Sequence, residues 1–250
     1  MRKIAIISDV HGNIAALQAV LDDIDTHYTN SEIYCLGDLV DAAPFHNEVI
    51  SLIKSRNIPT VMGNHDERIV LDSVITPLTK LTDEENRARI IGINYTKETI
   101  TEENKKHLAS FTDEIWITTD NTSCLLVHGS PISNTDYIFE DHSEEEVKEW
   151  FIKSKADVII TGHTHQSYIR PIYTDGIKEK RLLINAGSVG RTRENIGAKA
   201  VYLWLTLGKD GTVSTTIREV DYDINHTIEG IRASDIPNFY AELYESYLEE

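Results

Sequence analysis

The sequence predicts an α/β protein in which two mixed sheets pack together and are flanked by helices. Three observations predict it. The N-terminal quarter alternates short apolar runs with amphipathic stretches, a βαβαβ order that calls for parallel strands covered by helices. The second half carries hairpins instead, around Asp175-Gly176 and Asp210-Gly211. Five apolar runs along the chain end in the same way, in Asp, Asn or His beside a glycine.

Taken in order, residues 3–8 read as a buried strand. Asn13 caps a helix whose apolar residues Ile14, Leu17, Val20, Leu21 and Ile24 recur near a 3.6 period. EIYCLG (32–37) is a second strand, ending at Asp38. Pro44 suits the first turn of a second helix with Val49, Ile50 and Ile53 on its core face. IPTVM (58–62) reads as a third strand running into GNHD. Residues 67–113 read as a polar, helical insert, with a capping box at TDEE (82–85) and a short helix at 101–111. IWITTDNTSCLLVH predicts two strands about a Thr-Asp-Asn-Thr turn. SEEE (143–146) is another capping box, opening a helix with Val147, Trp150 and Phe151 inward. DVIIT (157–161) is a strand leading into GHTH. An acidic C-terminal helix is expected over about 227–250, its stripe Ile236, Phe239, Tyr240, Leu243, Tyr244 and Leu248 packing on the body or forming a homo-oligomer surface. No repeat, low-complexity tract or linker interrupts the chain, so 1–250 reads as one domain.

Composition narrows the function. The 250 residues carry a formal charge of −17, which repels phosphate backbones and argues against broad nucleic-acid binding. An anionic substrate then needs a local positive source, which metal ions can be. No apolar run approaches the roughly 18 residues of a membrane helix, so no membrane partner is expected. The short run before Asp9 does not make a signal peptide. Cys35 and Cys124 both sit in apolar runs, which fits buried free thiols and a cytoplasmic location.

Ligands of open α/β sheets bind beyond the carboxyl ends of the strands. The residues at those ends are Asp9 and His11, Asp38, Asn64-His65-Asp66, His128, and His163 and His165. They amount to three carboxylates, one Asn and five of the ten histidines. Oxygen and imidazole donors without thiolate suit zinc, manganese, iron, cobalt, nickel or magnesium. More donors are present than one ion uses. Two divalent metal ions bridged by one carboxylate are the natural arrangement, and such pairs serve in-line displacement at phosphorus.

DVHGN (9–13), GDLVD (37–41), GNHD (63–66), VHG (127–129) and GHTH (162–165) together resemble the calcineurin-like metallophosphoesterases. NAGSVG (185–190) is similar to their short bacterial YfcE-like branch, related to diadenosine tetraphosphatases. The resemblance implies a four-layer α/β/β/α sandwich. It implies one metal on Asp9, His11, Asp38 and His165, and another on Asp38, Asn64, His128 and His163. It also implies that His65 is the catalytic general acid beside a metal-bridging hydroxide.

One departure stands out. Protein phosphatases of this superfamily carry GDxxDRG, whereas this chain has GDLVDAA, with Ala42 at the Arg position. Asp41 is retained and can orient His65. Asn64, Arg191 and Arg193 are the expected substrate contacts, while Arg68 reads more simply as a surface residue. The reading is a phosphoesterase acting on a small-molecule phosphodiester or nucleotide polyphosphate. Phosphomonoesterase activity, including on proteins, is the alternative. A non-catalytic scaffold of the same fold is a third, which the intact GNHD disfavours.

Overall fold

The computed structural model describes residues 1–173 and 181–249. In chain order the elements are β1 (Arg2–Ile7), α1 (Ile14–His27), β2 (Glu32–Cys35), α2 (His46–Ser55), α3 (Asn64–Val70), α4 (Asp83–Thr99), α5 (Glu102–Leu108), β3 (Glu114–Thr118), β4 (Ser123–Val127), α6 (Glu144–Ser154), β5 (Val158–Thr161), β6 (Tyr168–Ile172), β7 (Arg181–Asn185), β8 (Lys199–Leu207), β9 (Val213–Asp221), α7 (Ile224–Arg232) and α8 (Asn238–Ser246).

Two mixed sheets form, in the orders β2-β1-β8-β9 and β3-β4-β5-β7-β6. β1 runs parallel to β2 and antiparallel to β8, while β5 runs parallel to both of its neighbours, β4 and β7. Strand periodicity sets the layers. Ile4 and Ile6 of β1 face the other sheet and meet Leu126 and Ile160 there. Ala5 and Ile7 point the opposite way, beneath α1 and α2. On the far side, Leu125, Ile159 and Leu183 lie under Val147, Trp150 and Phe151 of α6. The layers are therefore helix, sheet, sheet, helix. Cys35 and Cys124 are free and buried in this core. Among the described residues no helix is long and apolar enough to cross a membrane.

Several expectations need correction. Residues 58–62 do not form a strand; they make only isolated bridges, Cys35 to Thr60 and Val61 to Thr112. Pro59 has no N–H to give a ladder, and α3 begins two residues after Met62. Pro44 lies before α2, not in its first turn. Ser143 caps α6 by accepting from the Glu146 amide, but the Glu146 carboxylate meets His142 instead of completing a box. The helix expected over about 227–250 is two helices, split by Pro237 ahead of α8. Their buried face, Ile228, Ile231, Ile236, Tyr240 and Tyr244, packs on Ala42, Ala43 and Ala88. Leu248 is exposed and lies outside that stripe. The hairpin of β6 and β7 is present in antiparallel register, though its expected Asp175-Gly176 turn falls outside the described residues.

Candidate metal centre

The five polar segments expected at strand ends, four of which do follow strands, meet on one side of the sandwich because their loops are laced together. The amides of Asp9 and His11 donate to the carbonyls of Gly37 and Asp38, at 3.0 and 2.9 Å. The Gly162 amide donates to His128 O at 2.8 Å, and the Gly190 amide to Asp9 O at 3.0 Å. Glycine permits the closest approaches. A Cβ on Gly63 would lie 2.2 Å from the Asp38 amide nitrogen, and one on Gly162 would lie 2.1 Å from Ser8 Oγ and 2.8 Å from Asp9 Oδ2. Gly162→Ala is therefore expected to push Asp9 out of place. Metal affinity should weaken by about 10- to 100-fold, the range for lost supporting contacts; elemental analysis after gel filtration would show this. Undiminished metal retention would contradict it.

The backbone is strained where the donors sit. Asp9, His11, Asp38, His163 and His165 all have positive φ, between 50° and 64°, as do Asp41 and Ala42 at 68°. Non-glycine residues seldom adopt this region, and it persists only where surrounding bonds enforce it. Here those bonds are the loop lacing just described.

Each carboxylate has one oxygen held and one free. Asp9 Oδ2 accepts from Ser8 Oγ at 2.5 Å and from the His163 amide at 3.0 Å. Asp38 Oδ1 accepts from the His65 amide at 2.8 Å. That leaves Asp9 Oδ1 and Asp38 Oδ2 buried without a hydrogen-bond partner, together with His163 Nε2. The imidazoles are fixed in the same manner. Nδ1–H of His11, His128 and His165 donates to the carbonyls of Val40, Leu36 and Arg191 at 3.0, 2.7 and 2.6 Å. Their Nε2 atoms are thereby turned to the centre.

The result is a knot of lone pairs. His11 Nε2 and His165 Nε2 stand 3.1 Å apart, and His165 Nε2 is 3.2 Å from Asp9 Oδ1. His128 Nε2 is 3.1 Å from Asn64 Oδ1 and 3.3 Å from Asp38 Oδ2. Atoms that only accept repel at these distances unless positive charge lies among them. Asp9, His11 and His165 form one group able to hold a cation, and Asp38, His128 and His163 another. Orphaned buried acceptors and a hard-donor set thus fit divalent metal ions.

Electrostatics agree. Burial alone would raise the Asp38 carboxyl, but His128, His65 and His11 outweigh it and hold the group well below the usual range. Burial and the charge of His165 push His11 down to about 3. Burial and His128 push His163 down to about 4. Burial also opposes charge on His128, yet Asp38 raises it to about 10. His11 and His163 are therefore held neutral, as ligation requires, whereas His128 must give up its Nε2 proton when a cation binds.

His65 stands apart from the knot. Its Nδ1–H donates to Asp41 Oδ2 at 2.6 Å, and its Nε2 lies 3.9 Å from Asp38 Oδ2. It also forms a three-donor group with His11 and Asp38. It is the more open imidazole, with a quarter of its side chain exposed. Arg68, one turn further along α3, donates to the same Asp41 oxygen at 3.1 Å. The surface reading of Arg68 is thus corrected: its side chain is largely buried against Asp41. Arg191 and Arg193 flank His165. The carbonyl of Arg191 receives His165 Nδ1–H, and the Arg193 amide donates to His165 O at 3.1 Å.

Sequence reasoning missed several supporting residues. Asp66, counted among the crevice carboxylates, instead accepts from the amides of Asp38 and Leu39 at 2.7 and 2.9 Å and is no donor to the centre. Asn185 Nδ2 ties Gly162 O and Thr164 Oγ1 at 2.6 and 3.0 Å. Ser188 Oγ donates to Asp9 O at 2.8 Å. Tyr137 packs against His163 with ring centroids 4.1 Å apart and the planes tilted by 43°. The NAGS run held a signal for Asn185 and Ser188; nothing local marked Tyr137.

Residues 2–209 match the model of the calcineurin-like phosphoesterase superfamily domain. The uncharacterized protein MJ0912 of Methanocaldococcus jannaschii is 31% identical over 252 residues, covering 96% of each chain. A symmetrical bis(5'-nucleosyl)-tetraphosphatase of Vibrio campbellii is 29% identical over 98 residues, 38% of this chain and 36% of that one. The crystal structure of a metallophosphoesterase from Sphaerobacter thermophilus superposes with a TM-score of 0.74 at 26% identity, over 98% of this chain and 99% of the other.

Proposed function

The chain belongs to the calcineurin-like phosphoesterase superfamily, and we propose that it hydrolyses small phosphodiester or nucleotide polyphosphate substrates with two divalent metal ions. The observation that carries this reading is the knot of unpartnered acceptors around Asp9 Oδ1 and Asp38 Oδ2, with the His65–Asp41 pair beside it.

Asp9, His11, Asp38 and His165 would hold one ion and Asp38, Asn64, His128 and His163 the other, lowering the pKa of a water and offsetting charge on the phosphoryl oxygens. Manganese, iron, zinc, nickel, cobalt or magnesium all suit these donors. The protein's own part is orientation and proton transfer. Asp41 holds Nδ1–H of His65, so Nε2 is the atom able to give a proton to the leaving oxygen. Such acid catalysis contributes about 100- to 10,000-fold.

Three features support a small substrate. Ala42 replaces the arginine of the family's protein phosphatases, so no guanidinium fork grips phosphate from that position. Residue 42 is also covered by the C-terminal helices, its methyl packed in their cluster. The Vibrio campbellii relative is by name a nucleoside tetraphosphatase, which directs the search towards phosphoanhydrides.

The test is a substrate panel with manganese, spanning mono- and diesters, cyclic nucleotides and dinucleoside polyphosphates. The highest kcat/KM is expected on a diester or a dinucleoside polyphosphate. Turnover of monoesters alone would overturn the substrate class. No turnover of any phosphoester by metal-loaded protein would overturn the enzymatic reading.

A further inference from the structure

Four cations lie around the centre beyond its metal donors and His65, and only Arg191 and Arg193 among them are expected from the sequence to contact substrate. Lys80 lies in the loop before α4, with its ammonium 4.2 Å from the centroid of the Tyr137 ring, which itself packs at a tilt against His163. Arg89 projects from α4, half-buried, and donates to the carbonyl of Thr76 at 3.0 Å. Burial and the neighbouring charge of Arg68 push its guanidinium below the usual arginine range. Arg191 stacks its guanidinium over Tyr240 at 5.8 Å, and its Nε is buried with no hydrogen-bond partner. Arg193 is exposed one residue beyond the buried Thr192.

Among the described residues, none of these four cations pairs with a carboxylate. In a chain of 41 acidic and 24 basic residues, four cations without a carboxylate partner stand ready to meet an anion. The metal ions and His65 suffice for the one phosphoryl group under attack. Cations outside them have an anion to bind only if the substrate carries another.

We propose that Lys80, Arg89, Arg191 and Arg193 form a subsite for a second phosphate group, so that the enzyme selects phosphoanhydrides over simple esters. The inference rests on the phosphoesterase reading for the position of the first phosphate. It names the polyphosphate class within that reading and assigns two residues, Lys80 and Arg89, to substrate recognition.

Binding tests it apart from turnover. Calorimetry on manganese-loaded protein would compare AMP, with one phosphate, against non-hydrolysable α,β-methylene-ADP, with two, at saturating free manganese. The diphosphate is expected to bind at least tenfold more tightly. Arg89→Ala and Arg193→Ala should each shrink that ratio at least threefold, and Arg89→Lys should restore part of it. Arg193 is exposed, so its variant keeps the experiment decisive if Arg89→Ala fails to fold. A wild-type ratio near one, or a ratio unchanged in both alanine variants, would overturn the subsite. Protein that keeps the tenfold ratio but cleaves no phosphoanhydride would overturn the functional reading and leave the subsite standing.

Discussion

Asp38→Asn is expected to abolish metal-dependent activity while leaving the metal-free protein at least as stable as the wild type. Asp38 is fully buried, and one of its oxygens meets only imidazole nitrogens. Without cations, that oxygen is a desolvated charge whose compensation is a proton on His128. Removing the charge and keeping the shape takes away this burden, and the amide oxygen can still accept from the His65 amide. With cations, the same change removes the oxygen that both proposed sites share. Loss of one preorganised donor typically costs about 100- to 1,000-fold, and a shared anionic donor should cost at least that. Millimolar manganese should raise the Tm of the wild type, since a ligand that binds only the folded state stabilises it by mass action. It should not raise that of the variant. An equal manganese-induced rise in both proteins would remove Asp38 from the metal centre.

His65→Ala should lower kcat on a model phosphodiester by about 100-fold or more, with metal content near that of the wild type. Metal content separates this outcome from a ligand's loss, which matters because His65 also stands within donor reach of His11 and Asp38. Unchanged turnover would refute proton transfer by His65; lost metal would make it a ligand. Arg68 acts one step behind. Its bond to Asp41 Oδ2 holds the carboxylate that orients His65. Arg68→Ala should cost roughly tenfold in kcat, and the cost should largely vanish in a His65→Ala background, because residues acting as a unit are not additive. A full tenfold loss in that background would mean that Arg68 works by another route, such as direct contact with substrate.

Local patterns carried much of the architecture. The alternation at Ile4 to Ile7 divides two cores, because successive strand side chains take opposite faces. Thr82 and Glu85 form the capping box expected of them, because that motif closes within four residues. Failures arose where a distant contact or a single proline decided. The run at 58–62 has strand composition but only bridges to its neighbours. The C-terminal stripe looked continuous until Pro237 divided it. Arg68 looked like a surface residue because nothing adjacent in sequence reveals Asp41, 27 positions away.

The sequence by itself determined the donor types and the apolar runs they follow, since apolar periodicity and the turn residues that stop it are local properties. It also determined the family, because five short motifs in order are legible without coordinates. Only the tertiary structure decided which oxygen of each carboxylate is free, which nitrogen of each imidazole faces inward, and that Asp66 serves the backbone instead. Those choices depend on hydrogen bonds between loops up to 179 residues apart, such as Ser188 to Asp9, and on left-handed backbone that such bonds enforce. No periodicity within a segment encodes a contact whose partner lies in another.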